Sequence, residues 1–160
     1  MTPPGDDKFK FSGYIQVPDT PFIDPLNNNG VRVLLHDSTG AQILDASVPP
    51  GAYNVANRAG WKVNGTGTAF TYKNAGTPVP LVHGIYKVSV KKSTKVAGQI
   101  KFSVGGKTGN YAFATSNLPV VGTFVIDAPY ATTNQCGDAI FPGPLNVCTY
   151  TAAAGLVKCK

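Results

Sequence analysis

Three aromatic residues, Tyr53, Trp61 and Tyr72, are the first candidates for ligand recognition in this sequence. An aromatic ring offers an apolar face on which a sugar can stack, and Tyr and Trp also carry a polar group at the ring edge. Asparagines that could bond sugar hydroxyls lie nearby in the chain: Asn54, Asn57 and Asn64. This combination predicts a carbohydrate-binding surface. The alternative for Trp61 is structural, since a tryptophan often anchors the core of a β-sandwich.

Lysines form the second candidate surface. The segments GIYKVSVKK (84–92) and QIKFSVGG (99–106) alternate apolar and polar residues. Successive side chains of a strand point to opposite faces, so Lys87, Lys91 and Lys101 share one face. If loop 93–98 closes the hairpin symmetrically, Lys101 lies opposite Ser89. This face predicts docking to a glycan or anionic surface, although lysines also protect exposed sheets from edge-to-edge pairing.

The overall charge fits an anionic partner. The chain carries 14 lysine and arginine residues against 8 acids, a net charge of +6, and every acid is an aspartate. The lysine face contains no aromatic residues on which bases could stack, so nucleic acid is not an expected partner.

The cysteines lie at positions 136, 148 and 159, all in the last thirty residues. A loop over 152–155 would place Cys148 opposite Cys159 on adjacent strands, within reach of a disulfide. Pairs 136–159 and 136–148, and reduced thiols, stay open as alternatives. The third cysteine could then pair with another chain, and disulfides would indicate an oxidising compartment. The spacing does not fit a zinc site.

Catalytic patterns are missing from the sequence. Most aspartates stand in turns, and neither a GxSxG elbow nor a nucleotide-binding or HExxH motif occurs. We therefore expect a protein that is not an enzyme and has no cofactor or metal. Calcium is the one alternative, on Asp19, Asp24 and the asparagines that follow at 27–29.

The elements that position these residues are strands. The chain lacks glutamate and contains 18 glycines, 13 prolines and 1 methionine, a composition poor in helix formers. Short alternating segments recur between turn signals, which predicts an all-β, antiparallel β-sandwich, jelly-roll-like or Ig-like. The predicted core face of the 84–106 hairpin consists of Tyr86, Val88, Val90, Ile100, Phe102 and Val104.

The predicted organisation is a linker over 1–7, a β-sandwich domain over 8–129 and a cysteine-containing hairpin appendage over 130–160, packed on the same domain. No apolar run is long enough to span a membrane, and the first residues lack the apolar centre of a signal peptide. Residues 1–7 are typical of a linker, and neighbouring domains of a longer chain stay open as partners.

Several short motifs resemble lysine-rich β modules of uncharacterised secreted bacterial proteins. The likeness covers about residues 30–138 and lies in GWKVNG (60–65), FTYK (70–73), GIYKV (84–88), IKFSV (100–104), Leu118-Pro119 and Cys136-Gly137. The resemblance implies an extracellular, modular and non-catalytic role. We therefore expect a secreted or cell-surface module that binds carbohydrate or a cell surface. The alternative is a structural, adhesive or self-assembling module of a larger surface protein or filament, with other copies of the chain or neighbouring domains as partners.

Overall fold

The computed structural model describes residues 5–18, 22, 24–126, 128, 133–141, 148–151 and 156–159. Eleven strands and one short 3-10 helix, Thr115–Asn117, occupy these residues. In chain order the strands are β1 (Asp7–Gln16), β2 (Val31–His36), β3 (Gln42–Val48), β4 (Ala59–Val63), β5 (Ala69–Asn74), β6 (Ile85–Lys92), β7 (Gln99–Gly109), β8 (Val120–Val125), β9 (Cys136–Phe141), β10 (Cys148–Thr151) and β11 (Leu156–Cys159).

The strands form two sheets. The large sheet has seven strands in the order β10-β11-β1-β7-β6-β5-β4, and the small sheet has four in the order β3-β2-β8-β9. Strand pairing is antiparallel except between β1 and β11, which run parallel. The all-β prediction is confirmed, and two such sheets are consistent with a β-sandwich. Its finer type, jelly-roll-like or Ig-like, stays a prediction.

The core lies between the inner faces of the two sheets. The rings of Phe102 on β7 and Phe124 on β8 stack with centroids 4.3 Å apart. Beside them Phe11 on β1 meets the ring of Phe141 on β9 edge-on, at 5.8 Å. Gly122 on β8 makes this approach possible, because a Cβ there would come within 2.8 Å of the Phe11 ring. Alternation along β1 and β7 therefore buries one face and leaves the other in solvent.

The cysteine-containing region contributes strands to both sheets. Cys136 lies on β9, opposite Val125 in the small sheet. The backbone of β10 pairs with β11 in the register expected from the sequence, with Cys148 opposite Cys159. Parallel pairing with β1 then joins β11 to the large sheet. The side chains of Cys148 and Cys159 fall outside the described residues, so their disulfide stays a prediction.

Candidate binding surface on the large sheet

The outer face of the large sheet is built from rows of residues that are direct partners across the strands. One row runs from Lys10 through Gly105 and Lys87 to Lys73. The next outward-facing row carries hydroxyl groups, in the order Ser12, Ser103, Ser89 and Thr71, and ends at Lys62. A third row places Tyr14, Lys101, Lys91 and Ala69 side by side. We call this surface the basic face, after its described lysines: Lys8, Lys10, Lys62, Lys73, Lys87, Lys91, Lys101 and Lys107.

Two pairs of lysines stand directly opposite each other on this face. Lys91 is the partner of Lys101, and Lys73 is the partner of Lys87. The prediction that Lys101 lies opposite Ser89 is therefore wrong by two residues. Pairing continues into Ser93, whose N–H donates to the carbonyl of Gln99 at 2.8 Å, so the turn is shorter than loop 93–98. Like charges directly opposite on a sheet are destabilising.

The positive charge of the basic face is not compensated by aspartates. Among the residues that the structure describes, the ion pair with a short contact joins Arg32 to Asp45, 2.7 Å apart and on the small sheet, and no lysine pairs with an aspartate. The Arg32 guanidinium holds the pKa of Asp45 below its usual value. Of the described aspartates on strands, Asp45 and Asp138 lie on the small sheet. Asp7 begins β1 of the large sheet, and its carboxylate accepts the Tyr111 N–H at 2.9 Å.

Asp37, at the end of β2, serves the turn before β3. Its carboxylate accepts hydrogen bonds from the Thr39 hydroxyl at 2.6 Å and from the Asn117 amide at 2.8 Å. These bonds, with others from the Thr39 and Ala41 N–H groups, lower the pKa of Asp37 to about 2. The carboxylate is thus committed to turn structure rather than to acid–base chemistry.

Tyr86 belongs to the outer face, contrary to the sequence-based prediction that it shares a buried face with Val88 and Val90. The ladder between β6 and β7 shifts register between Ile85 and Lys87. This β-bulge leaves Tyr86 as an extra residue, so Tyr86 and Lys87 are both exposed while Ile85 is fully buried. The Tyr86 ring then lies beside Lys107, whose Nζ is 5.4 Å from the ring centroid. The other five residues predicted for the core face of this hairpin are buried.

Trp61 and Tyr72 do not form part of a surface, which corrects their assignment as sugar contacts. Only 1% of Trp61 and 2% of Tyr72 is exposed, and their ring centroids lie 5.5 Å apart. The indole N–H of Trp61 donates to the Pro49 carbonyl at 2.9 Å. The structural alternative for Trp61, an anchor of the core, is the one observed.

Tyr53 is the half-buried member of the three predicted aromatic contacts. The Nζ of Lys62, on the outer face of β4, lies 4.2 Å from its ring centroid. Backbone bonds hold the segment in place, since the Tyr53 N–H donates to the Trp61 carbonyl at 2.8 Å. Tyr53 therefore lies at the β4 end of the basic face, as an aromatic ring next to a lysine.

Tyr14 has the same arrangement at the other end. It is 62% exposed, and the Lys101 Nζ lies 5.5 Å from its ring centroid. The alternation of β1 places Tyr14 on the same face as Lys8 and Lys10, a signal present in the sequence. Tyr14 and Tyr86 thus supply the exposed rings that the sequence-based description of the lysine face lacked.

The calcium site that the sequence offered as an alternative has a structural explanation where the structure describes its residues. The Asp24 carboxylate accepts bonds from the Leu26 N–H and the Asn27 amide, each at 2.7 Å, and so shapes its own loop. Asp19, the other proposed calcium ligand, lies outside the described residues. Within the described ranges, no three His, Cys, Asp or Glu residues cluster as metal ligands. No helix there is long and apolar enough to cross a bilayer.

Similarity to known proteins gives no further guide to this surface. Comparison of the chain with protein-family models, with curated proteins and with solved structures finds no match.

Proposed function

We propose that this chain is a non-catalytic module of a secreted or cell-surface protein, and that its basic face binds a polyanionic carbohydrate. The observation that carries the proposal is the direct opposition of Lys91 with Lys101 and of Lys73 with Lys87. Pairs of residues that destabilise the folded protein in the absence of a ligand are expected chiefly at functional sites. An anionic polymer laid across the sheet would neutralise both pairs at once.

The chemistry between the lysines favours a carbohydrate over a nucleic acid. The row of Ser12, Ser103, Ser89 and Thr71 presents hydroxyl groups that both donate and accept hydrogen bonds. Such groups match the many hydroxyls of a sugar chain, while the flanking lysines match its carboxylates. Nucleic-acid surfaces combine basic grooves with successive aromatic platforms, whereas Tyr14 and Tyr86 lie apart in different rows of this face.

Assembly through sheet edges is the second candidate function. The β4 edge of the large sheet is covered by another segment of the chain. The Tyr53 N–H bonds the Trp61 carbonyl, and the Asn54 N–H bonds the Ala59 carbonyl at 2.9 Å. A partner strand at β4 would have to displace these bonds, so we rank assembly below ligand binding. Light scattering after size-exclusion chromatography tests it: a concentration-dependent oligomer would support assembly.

Calorimetric titration with polygalacturonate, and with neutral dextran of similar length, tests the proposed function. The variant Lys87→Gln/Lys91→Gln removes two charges from the basic face. The control Arg58→Gln removes a charge from the loop before β4, away from Lys91, and is compared with the single variant Lys91→Gln. A lysine near an anionic surface contributes about 1 kcal/mol, so the face variant should bind about 30-fold more weakly, and the control should stay within about twofold of the wild type.

Salt dependence provides a second readout. The logarithm of the binding constant should fall linearly with the logarithm of salt concentration, and the slope should be shallower by about 1.4 in the face variant, at about 0.7 per lost contact. Equal weakening by Lys91→Gln and Arg58→Gln would contradict a specific face, because net charge alone would then explain binding. Tighter binding of a single-stranded oligonucleotide than of polygalacturonate would contradict the carbohydrate assignment.

A further inference from the structure

A recess of about 630 Å³ interrupts the basic face above Gly105 and Gly106 of β7. Lys10 on β1 and Lys87 on β6 are the direct partners of Gly105 on its two sides. Because neighbouring strands lie 4.7–4.9 Å apart, the Cα atoms of these lysines are about 10 Å apart. The missing side chain at Gly105 thus leaves a recess between the two strands, which Lys10 and Lys87 line from either side.

An aromatic ring and hydroxyl groups complete the recess. The bulge of β6 brings Tyr86 over Gly105, so that a Cβ on this glycine would lie only 3.1 Å from the ring. Ser89 and Ser103 line the recess from the neighbouring hydroxyl row. An apolar ring with a few convergent polar groups in a concave site is typical of a small-molecule subsite.

Gly105 and Gly106, which form the floor of the recess, lack a side chain for different structural reasons. A Cβ on Gly106 would lie 2.1 Å from the Phe9 ring, so the packing of the core excludes a side chain there. Gly105 has no left-handed φ, and the Tyr86 ring is the nearest group to its would-be Cβ. Glycine within a strand costs about 0.5–1 kcal/mol relative to alanine. The absence of a side chain at Gly105 therefore keeps the recess open and leaves room for the Tyr86 ring.

We infer that this recess binds a single acidic sugar unit, a hexuronate within a polymer. The sugar ring packs against the face of the Tyr86 ring that points away from Gly105, and its carboxylate lies within reach of Lys10 and Lys87. The hydroxyls of Ser89 and Ser103 bond those of the sugar. This inference rests on the proposed function and adds to it a defined subsite, in which the ring is recognised as well as the charge.

Tyr86→Leu and Tyr14→Leu form a matched pair for the test. Both replace an exposed tyrosine next to a lysine on the same face, but Tyr14 lies outside the recess. The probes are trigalacturonate and the neutral galactose trimer, titrated into ¹⁵N-labelled protein and followed by the amide signals of Gly105 and Gly106. Removing about 40 Å² of apolar sugar and ring surface from water, at about 25 cal/mol per Å², corresponds to about fivefold in affinity. Tyr86→Leu should therefore weaken trigalacturonate binding at least fivefold and Tyr14→Leu less than twofold.

Gly105→Ala supplies a second perturbation, because its methyl group would lie 3.1 Å from the Tyr86 ring and push that ring out of place. It should weaken trigalacturonate binding at least fivefold while polygalacturonate still binds through the remaining lysines. The inference is overturned if both tyrosine variants lose affinity equally, if the glycine signals do not move, or if the neutral trimer binds as tightly as the acidic one. In those cases lysine-dependent polymer binding could still hold, whereas failure of the polymer itself to bind contradicts the proposed function.

Discussion

Removing one lysine of an opposed pair should stabilise the free protein. Lys91 and Lys101 are direct cross-strand partners. Their flexible stems let the ammonium groups separate to about 8 Å, the spacing of diagonal neighbours on one face of a sheet. Two unit charges at that distance in water repel each other by about 0.5 kcal/mol. A double-mutant cycle of Lys91→Gln, Lys101→Gln and the combined variant should therefore give a repulsive coupling energy of about 0.5 kcal/mol.

Urea unfolding at low ionic strength measures this coupling. With a slope near 2 kcal/mol per molar urea, 0.5 kcal/mol corresponds to a midpoint shift of about 0.25 M. In 1 M salt the screening length falls to about 3 Å, so the coupling should vanish. Arg58→Gln is the control, since Arg58 lies in the loop before β4, away from the Lys91–Lys101 pair. It removes the same charge and should leave the midpoint almost unchanged.

The measured coupling energy decides whether opposed lysines of the basic face repel each other in the folded protein. A coupling of zero at low salt, or an attractive one, would refute the reasoning, because the two ammonium groups would then not interact as the register requires. A coupling that persists in 1 M salt would assign the effect to side-chain packing instead.

Three further predictions concern the rest of the fold. Non-reducing peptide mass spectrometry should find Cys148 linked to Cys159, and reduction should lower stability by about 3 kcal/mol for a loop of this length; a linkage through another cysteine would contradict the assigned pair. Since the folded-state pKa of Asp37 is about 2 and the unfolded value is about 3.9, its stabilisation is present above pH 4 and lost as pH falls towards 2. Asp37→Asn should thus lower the unfolding free energy at pH 6 by an amount that shrinks at pH 2, and a difference independent of pH would contradict this. Trp61→Ala should cost about 3–5 kcal/mol, measured by urea unfolding, whereas Val55→Ala, at a position 81% exposed, should stay within about 0.5 kcal/mol; equal losses would refute the core role of Trp61.

Strand periodicity assigned the faces of the hairpin from local sequence at every predicted core position except Tyr86. Val88, Val90, Phe102 and Val104 are buried as their alternation predicts. The reason is geometric, because a residue and its second neighbour share a face in any extended strand. The same rule placed the lysines outside and indicated an all-β protein before any pairing was known.

Register, bulges and sheet membership depended on the tertiary structure, since they arise from contacts distant in sequence. Tyr86 turns outward because a β-bulge between Ile85 and Lys87 shifts the ladder with β7. Trp61 is buried because the Pro49 segment folds back to accept its N–H. The sequence by itself thus determined that a lysine face exists. The three-dimensional pairing decided which lysines lie opposite one another and that a tyrosine lies among them. The reason is that register is set by packing across strands rather than by local alternation.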